Sequence, residues 1–311
     1  MQATTNSRIS ILSILLFSGL WAVDALAQDN VFEKSFTINE TILLDVDTGS
    51  GAIHVRSGSA DEVTVTGKIK VSRRFFGAKR ADADELVQAV KDNPPIEIAD
   101  GRVRVGYFDD RSLSKKVSVS YEIVVPAGTE VVAETGSGSI TVIDISAPVE
   151  VHTGSGSVTL ENISGSVKAR TGSGSIKADG VAGAFSGDTG SGSISLLQTS
   201  PGDVVVSTGS GSSELKGVVG SVRANAGSGR ITVDGRQEGD WKLNTGSGSV
   251  RVSLPADAAF ELEAESSSGG IEIDHPLTVQ GHISKRHISG QVRGGGPLLQ
   301  IDTGSGGIRI R

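Results

Sequence analysis

Six residues, Thr171-Gly172-Ser173-Gly174-Ser175-Ile176, recur so regularly along this chain that they dictate what it can fold into. Close copies begin at Thr48, Thr135, Thr153, Thr189, Thr208, Thr245 and Thr303, with degenerate ones at Ala226 and Ser266. From Thr135 to Ser266, subtracting successive start positions gives steps of 18, 18, 18, 19, 18, 19 and 21 residues. A period that short marks a stacked-repeat body in which each unit buries its apolar face only against its neighbours.

The residues between refrains set the shape of one unit. In residues 153–170, Val158 and Leu160 alternate with polar residues, Asn162-Ile163-Ser164-Gly165 forms a turn, and Val167 and Ala169 alternate again. Each unit is thus two short strands. Val167 and Ala169 stand at odd positions and Ile176 and Ala178 at even ones, so a flat strand cannot hold both pairs on one face. The refrain must therefore contain a corner. Its glycines are read as corner residues holding positive φ: Gly49 and Gly51, Gly136 and Gly138, Gly154 and Gly156, Gly172 and Gly174, Gly190 and Gly192, Gly209 and Gly211, Gly246 and Gly248, and Gly304 and Gly306. An antiparallel meander also gives two strands per unit, but it would expose long edges. In-register parallel stacking explains why like residues recur at like places. The expected fold is all-β: a parallel β-solenoid with about 18–19 residues per coil, roughly ten coils in all, rising ~4.8 Å per coil.

Before the continuous array the pattern is irregular. Residues 28–46 read as a polar lead-in followed by a strand from Thr41, then come the Thr48 copy and a strand over Val63–Ile69. Leu86, Val87, Ala89 and Val90 among charges predict one short helix over Ala81–Asp92, stopped before Pro94-Pro95. Strands are predicted at Ile96–Ile98, Val103–Val105 and Val117–Val125. The organisation is an export signal over 1–27, a strand-rich cap region over 28–130 and the repeat solenoid over 131–311.

The export reading rests on Arg8, the apolar run Ile9–Trp21 and the small-x-small site Ala25-Leu26-Ala27. No other apolar run is long enough to span a bilayer after signal removal. With no cysteine there are no disulfides and no lipidated cysteine, and a net charge of -7 gives no reason to expect nucleic acid as partner. The expected location is periplasmic, extracellular or associated with the cell envelope.

Chemistry-bearing candidates are few. Asp47-Thr48-Gly49-Ser50 and Asp302-Thr303-Gly304-Ser305 have the sequence of an aspartic-protease pair, but the residue before the threonine drifts through Glu134, His152, Arg170, Asp188, Ser207 and Asn244. A strand follows each glycine-rich copy, whereas a phosphate cradle requires a helix. Calcium rolls need an aspartate where these units carry Ser or Gly. His275, His282 and His287 match no standard metal spacing and read as exposed loop residues. Glu161, Asp179 and Asp234 sit at turn positions. No catalytic residue, cofactor site or metal site is assigned. Two surfaces remain: threonine and serine ladders at the corners, suited to a glycan, and a candidate interaction patch of Arg73, Arg74, Phe75, Phe76, Tyr107 and Phe108. The patch also reads as a seam between cap and rod.

The export signal, the cap, Val125-Pro126-Ala127-Gly128 and the following Glu134-Thr135-Gly136-Ser137-Gly138-Ser139-Ile140 with its repeats resemble the bacterial putative-adhesin, YvlB-like family of unknown function. The resemblance runs over roughly residues 40–311. It implies a parallel β-solenoid at the cell envelope and brings no catalytic residues with it. The function expected is that of an exported, non-enzymatic envelope binding or adhesion-like module, with a glycan or an envelope protein as partner. The alternative is a carbohydrate-active β-helix enzyme, a polysaccharide lyase or hydrolase.

Overall fold

The computed structural model describes residues 30–72, 80–108, 110–279 and 284–311. The expected export signal and Arg73, Arg74, Phe75 and Phe76 lie outside the described residues.

The fold is a parallel β-solenoid. Val149–Thr153 pairs in parallel with Val167–Thr171, which pairs with Phe185–Thr189, and in these strands refrain threonine lies against refrain threonine. The second strand of each unit stacks likewise, as Val158–Glu161 does on Ile176–Val181. Along Val167–Thr171 the odd residues are buried, and in the next strand the even residues Ile176 and Ala178 are, so the facing flips within the refrain. The core is a thin column running the length of the rod. Volume is matched coil by coil: Val167 and Ala169 are followed in the next coil by Phe185 and Gly187. A Cβ on Gly187 would lie 2.8 Å from the Phe185 ring, so the smaller residue makes room for the larger.

The corner glycines do not hold positive φ. No refrain glycine is in the left-handed region. Their reason is close approach: a Cβ on Gly174 would sit 1.8 Å from the carbonyl oxygen of Gly156 in the adjoining coil. Left-handed backbone falls instead at the opposite corner, at Asp144, Asn162 and Gly180. There the Asn162 side-chain amide donates to the Asp144 carboxylate over 2.8 Å, a short polar ladder across two coils.

At both ends the order of coils in space departs from their order in the chain. The Thr48 coil stacks directly on the Thr135 coil, while the later strands Arg102–Val105 and Val117–Val125 lie outside it. At the other end Leu298–Thr303 inserts between Ile231–Thr245 and Phe260–Ser266, so the last coil in sequence is the penultimate one in space. Antiparallel strands then cover part of each end: Glu62–Val71 on Val117–Val125, and His287–Val292 on Phe260–Ser266. They occupy sheet edges that would otherwise present free backbone groups.

Three local expectations change. The polar lead-in is a strand, Val31–Thr37, antiparallel to Glu62–Val71, with Phe32 buried edge-on against Tyr121. Helix Arg80–Asp92 forms where predicted and buries Val87 and Val90, but a second helix, Arg111–Ser114, accompanies it. The Asp110 carboxylate caps that one-turn helix by accepting from the Ser112 N–H over 2.7 Å. In Ser213–Ala226 and Ile231–Thr245 the second corner straightens into continuous strand, giving those coils a third paired side.

Candidate ligand trough

The refrain threonines face inward. Thr153 is fully buried, donates its hydroxyl to the Gly138 carbonyl over 2.9 Å, and accepts from the Gly156 N–H over 3.0 Å. The same pair of bonds recurs at Thr135, Thr171, Thr189 and Thr208. The expected hydroxyl ladder on the surface therefore loses its threonines to the interior. The serines stay outside, as at Ser137, Ser155 and Ser173.

The packing that demands glycine also shapes the surface. Along this part of the rod the first glycine of the refrain has no room for a side chain, because a Cβ there would lie 2.3–2.7 Å from the neighbouring coil's carbonyl at Gly209, Gly227, Gly246 and Gly304. The result is a trough of about 570 Å³ along the rod, lined by Gly227, Gly246 and Gly304. One wall is the column of residues preceding the threonines: Ser207, Asn225, Asn244, Asp302 and Glu265. Ser267, standing where other refrains carry the first glycine, closes the end.

Each wall residue comes from the same outward position on successive coils, so polar groups are spaced by one coil, ~4.8 Å. The Asn244 amide donates to the Asn225 side-chain oxygen over 3.2 Å. Asp302 lies in register with Glu265, two residues from Glu263 on the same face. Partial burial and then the charges of Glu265 and Glu263 push its carboxyl above the ordinary aspartate value. Sequence order hid this group, because Glu265 and Asp302 belong to coils that sit side by side only through the inserted last coil. The signal available was the refrain itself, whose Thr303 copy had to stack somewhere in the same column.

The two Asp-Thr-Gly-Ser copies are far apart. Seven coils, those of Glu134, His152, Arg170, Asp188, Ser207, Asn225 and Asn244, stand between Asp47 and Asp302. That is roughly 38 Å at ~4.8 Å per coil, which rules out a shared proton. At its own end Asp47 is raised by burial, Glu134 and Asp45.

Of the candidate patch, Tyr107 donates to Asp45 over 2.8 Å and lies under Arg104 at 4.0 Å, while Phe108 packs against the core. Burial and the Asp45 carboxylate push the Tyr107 hydroxyl up to about 12. Tyr107 thus ties the segment after strand Arg102–Val105 to Asp45 in the Thr48 coil. Of the histidines, His275 is buried edge-on against Phe260 rather than exposed, His287 is exposed on a strand, and His282 lies outside the described residues. Among the described residues no group of three or more potential ligands converges as a metal site, and no helix is long and apolar enough to cross a membrane.

The family model described as Toastrack DUF4097 matches residues 44–311. No curated protein matches the chain. Among solved structures, a "putative lipid binding protein" from Parabacteroides distasonis ATCC 8503 aligns at 16% identity and a TM-score of 0.50, over 92% of this chain and 98% of its own. At that identity the likeness speaks to the fold. A "putative adhesin" from Bacteroides fragilis NCTC 9343 aligns at 11% identity and a TM-score of 0.41, over 92% of this chain and 99% of its own. A "putative cell adhesion protein" from Clostridium sporogenes ATCC 15579 aligns at 11% and 0.22, over 90% and 98%.

Proposed function

This chain belongs to the Toastrack DUF4097 family, and from that premise we propose that it is an exported, non-enzymatic module that binds a glycan at the cell envelope. In this reading residues 1–27 are a cleaved signal, residues 28–130 supply the N-terminal end of the rod, and residues 131–311 carry the ligand surface. The observation that supports it is the trough. Its backbone floor is fixed by coil-to-coil packing, and its wall offers one hydroxyl, amide or carboxylate per coil. An extended, hydroxyl-rich chain can meet such a row with hydrogen bonds while the protein reorganises little, which limits the entropic cost of binding.

A glycan array combined with a reducing-end release assay on the full chain tests this. Binding without release is expected. Asn225→Ala with Asn244→Ala should weaken binding about tenfold, the loss of roughly 1.4 kcal/mol of hydrogen bonding, with no change in melting temperature. One observation favours the second reading, a carbohydrate-active enzyme: Asp302 lies in register with Glu265, and burial with the neighbouring carboxylates raises its carboxyl above the ordinary aspartate value, as for a general acid in a carboxyl pair. Release of reducing ends, abolished by Asp302→Asn, would replace the binding module with that enzyme.

A further inference from the structure

Resting on the glycan reading above, we infer that the trough takes an acidic glycan, one carrying a sugar carboxylate that is gripped between Arg223 and Lys242. These two cations are direct in-register partners on adjoining coils. They occupy the outward position two residues before Asn225 and Asn244, so they share the face of the trough wall.

Arg251 and Arg309 form another in-register pair of cations, but there Arg309 has Glu272 as a carboxylate partner. Several cations on the rod's faces have carboxylate partners: Lys168 with Glu150, Lys216 with Glu214, Arg309 with Glu272, and Arg102 and Arg104 with Asp45. Neither Arg223 nor Lys242 is in an ion pair among the described residues. Their next neighbours in the column are Val205 and Gln300, which carry no charge. Like charges opposed on a sheet cost stability, and here they do so on a chain of net charge -7. Two cations one coil apart are placed to converge on a single carboxylate between them, and Arg223 can grip it with two parallel N–H donors.

The rest of the face sets the ligand's character. With Asn244 donating to Asn225, the Asn225 NH₂ and the Asn244 oxygen remain for sugar hydroxyls. Beyond them stand Asp302, Glu263 and Glu265, which accept hydroxyls but repel further anionic groups. The fit is therefore to a chain whose carboxylates are spaced apart by neutral sugars. A dense polyanion would meet repulsion within two coils.

The test uses the full chain, an oligosaccharide of alternating uronate and neutral N-acetyl sugars, and the same oligosaccharide with its carboxyl groups reduced. Binding of the acidic form should fall about tenfold or more with Arg223→Gln plus Lys242→Gln, fall likewise on carboxyl reduction, and weaken as salt rises. The double variant should melt no lower than the parent, because it relieves a like-charge contact. Equal binding of the acidic and reduced forms, unaffected by the double variant but weakened by Asn225→Ala and Asn244→Ala, overturns this inference and leaves the glycan trough intact. Absence of binding to either form overturns this inference, and absence of any glycan binding on the array overturns both readings.

Discussion

The hydroxyl of Thr171 donates to the carbonyl of Gly156, one coil away, over 2.8 Å, and accepts the N–H of Gly174 in its own coil over 3.0 Å. One buried side chain thereby satisfies two backbone groups that the corner leaves out of the ladders. Thr171→Val keeps the shape and removes both bonds. It should destabilise by about 1–3 kcal/mol, the cost of stranding buried polar groups, measured by denaturant unfolding. Ala226 is the natural counterpart of that change, the one refrain residue with no hydroxyl. Ala226→Thr should stabilise by about 0.5–1.5 kcal/mol. A lower stability would show that the site lacks room for the added atoms and that the hydroxyl is not what this coil is missing.

A second pair of substitutions separates close approach from backbone conformation as the reason for the corner glycines. A Cβ on Gly174 would lie 1.8 Å from the Gly156 oxygen, whereas a Cβ on Gly49 would have nothing within 4 Å. Gly174→Ala should cost about 3 kcal/mol or more, since backbone must move to admit it. Gly49→Ala should stay within about 0.5 kcal/mol of the parent. Similar losses at both positions in thermal unfolding would sink the packing account.

Much of this was legible in the sequence because a repeat reports its own packing. The period, the alternation of Val158 with Leu160 and of Val167 with Ala169, and the parity flip between Thr171 and Ile176 specify coil, corner and facing. The glycine rationale was not legible, since positive φ and close approach both select glycine, and only the spatial neighbour distinguishes them. Nor was the order of coils at the ends. The Thr245, Ser266 and Thr303 refrains present nearly equivalent edges, so local pattern cannot say which stacks on which. That ambiguity concealed the meeting of Asp302 with Glu265. The Arg223–Lys242 contact, by contrast, lies between coils consecutive in sequence and was open to register counting.

The raised Asp302 carboxyl predicts a pH dependence with a definite sign. Burial and the charges of Glu265 and Glu263 favour its protonated form in the folded state. Its contribution to stability is therefore complete below the ordinary aspartate value and is lost as pH rises through the raised one. Asp302→Asn should melt higher than the parent at neutral pH, with the advantage shrinking to nothing as both proteins are taken below the ordinary aspartate range. A constant difference across that range would mean that packing, not ionisation, separates the two.

The inserted last coil makes the C-terminal residues a keystone rather than a tail. Leu298–Thr303 pairs with Ile231–Thr245 on one side and with Phe260–Ser266 on the other, and Ile308–Ile310 bridges Val250–Ser253 and Ile271–Ile273. Deleting residues 298–311 leaves two facing edges with no partner and uncovers Trp241 and Leu262, both fully buried in the intact rod. Among the described residues, the coils that follow the gap in space, 260–279 and 284–292, have no other attachment to the stack through strand pairing. Because stability in a stacked array passes only between neighbours, hydrogen exchange on the truncated chain should show residues 260–279 and 284–292 exchanging as unfolded segments, while residues 130–226 keep their protection. Protection retained across those residues would mean that the flanking coils close on each other, and the order of stacking would then be set by something other than the ladders.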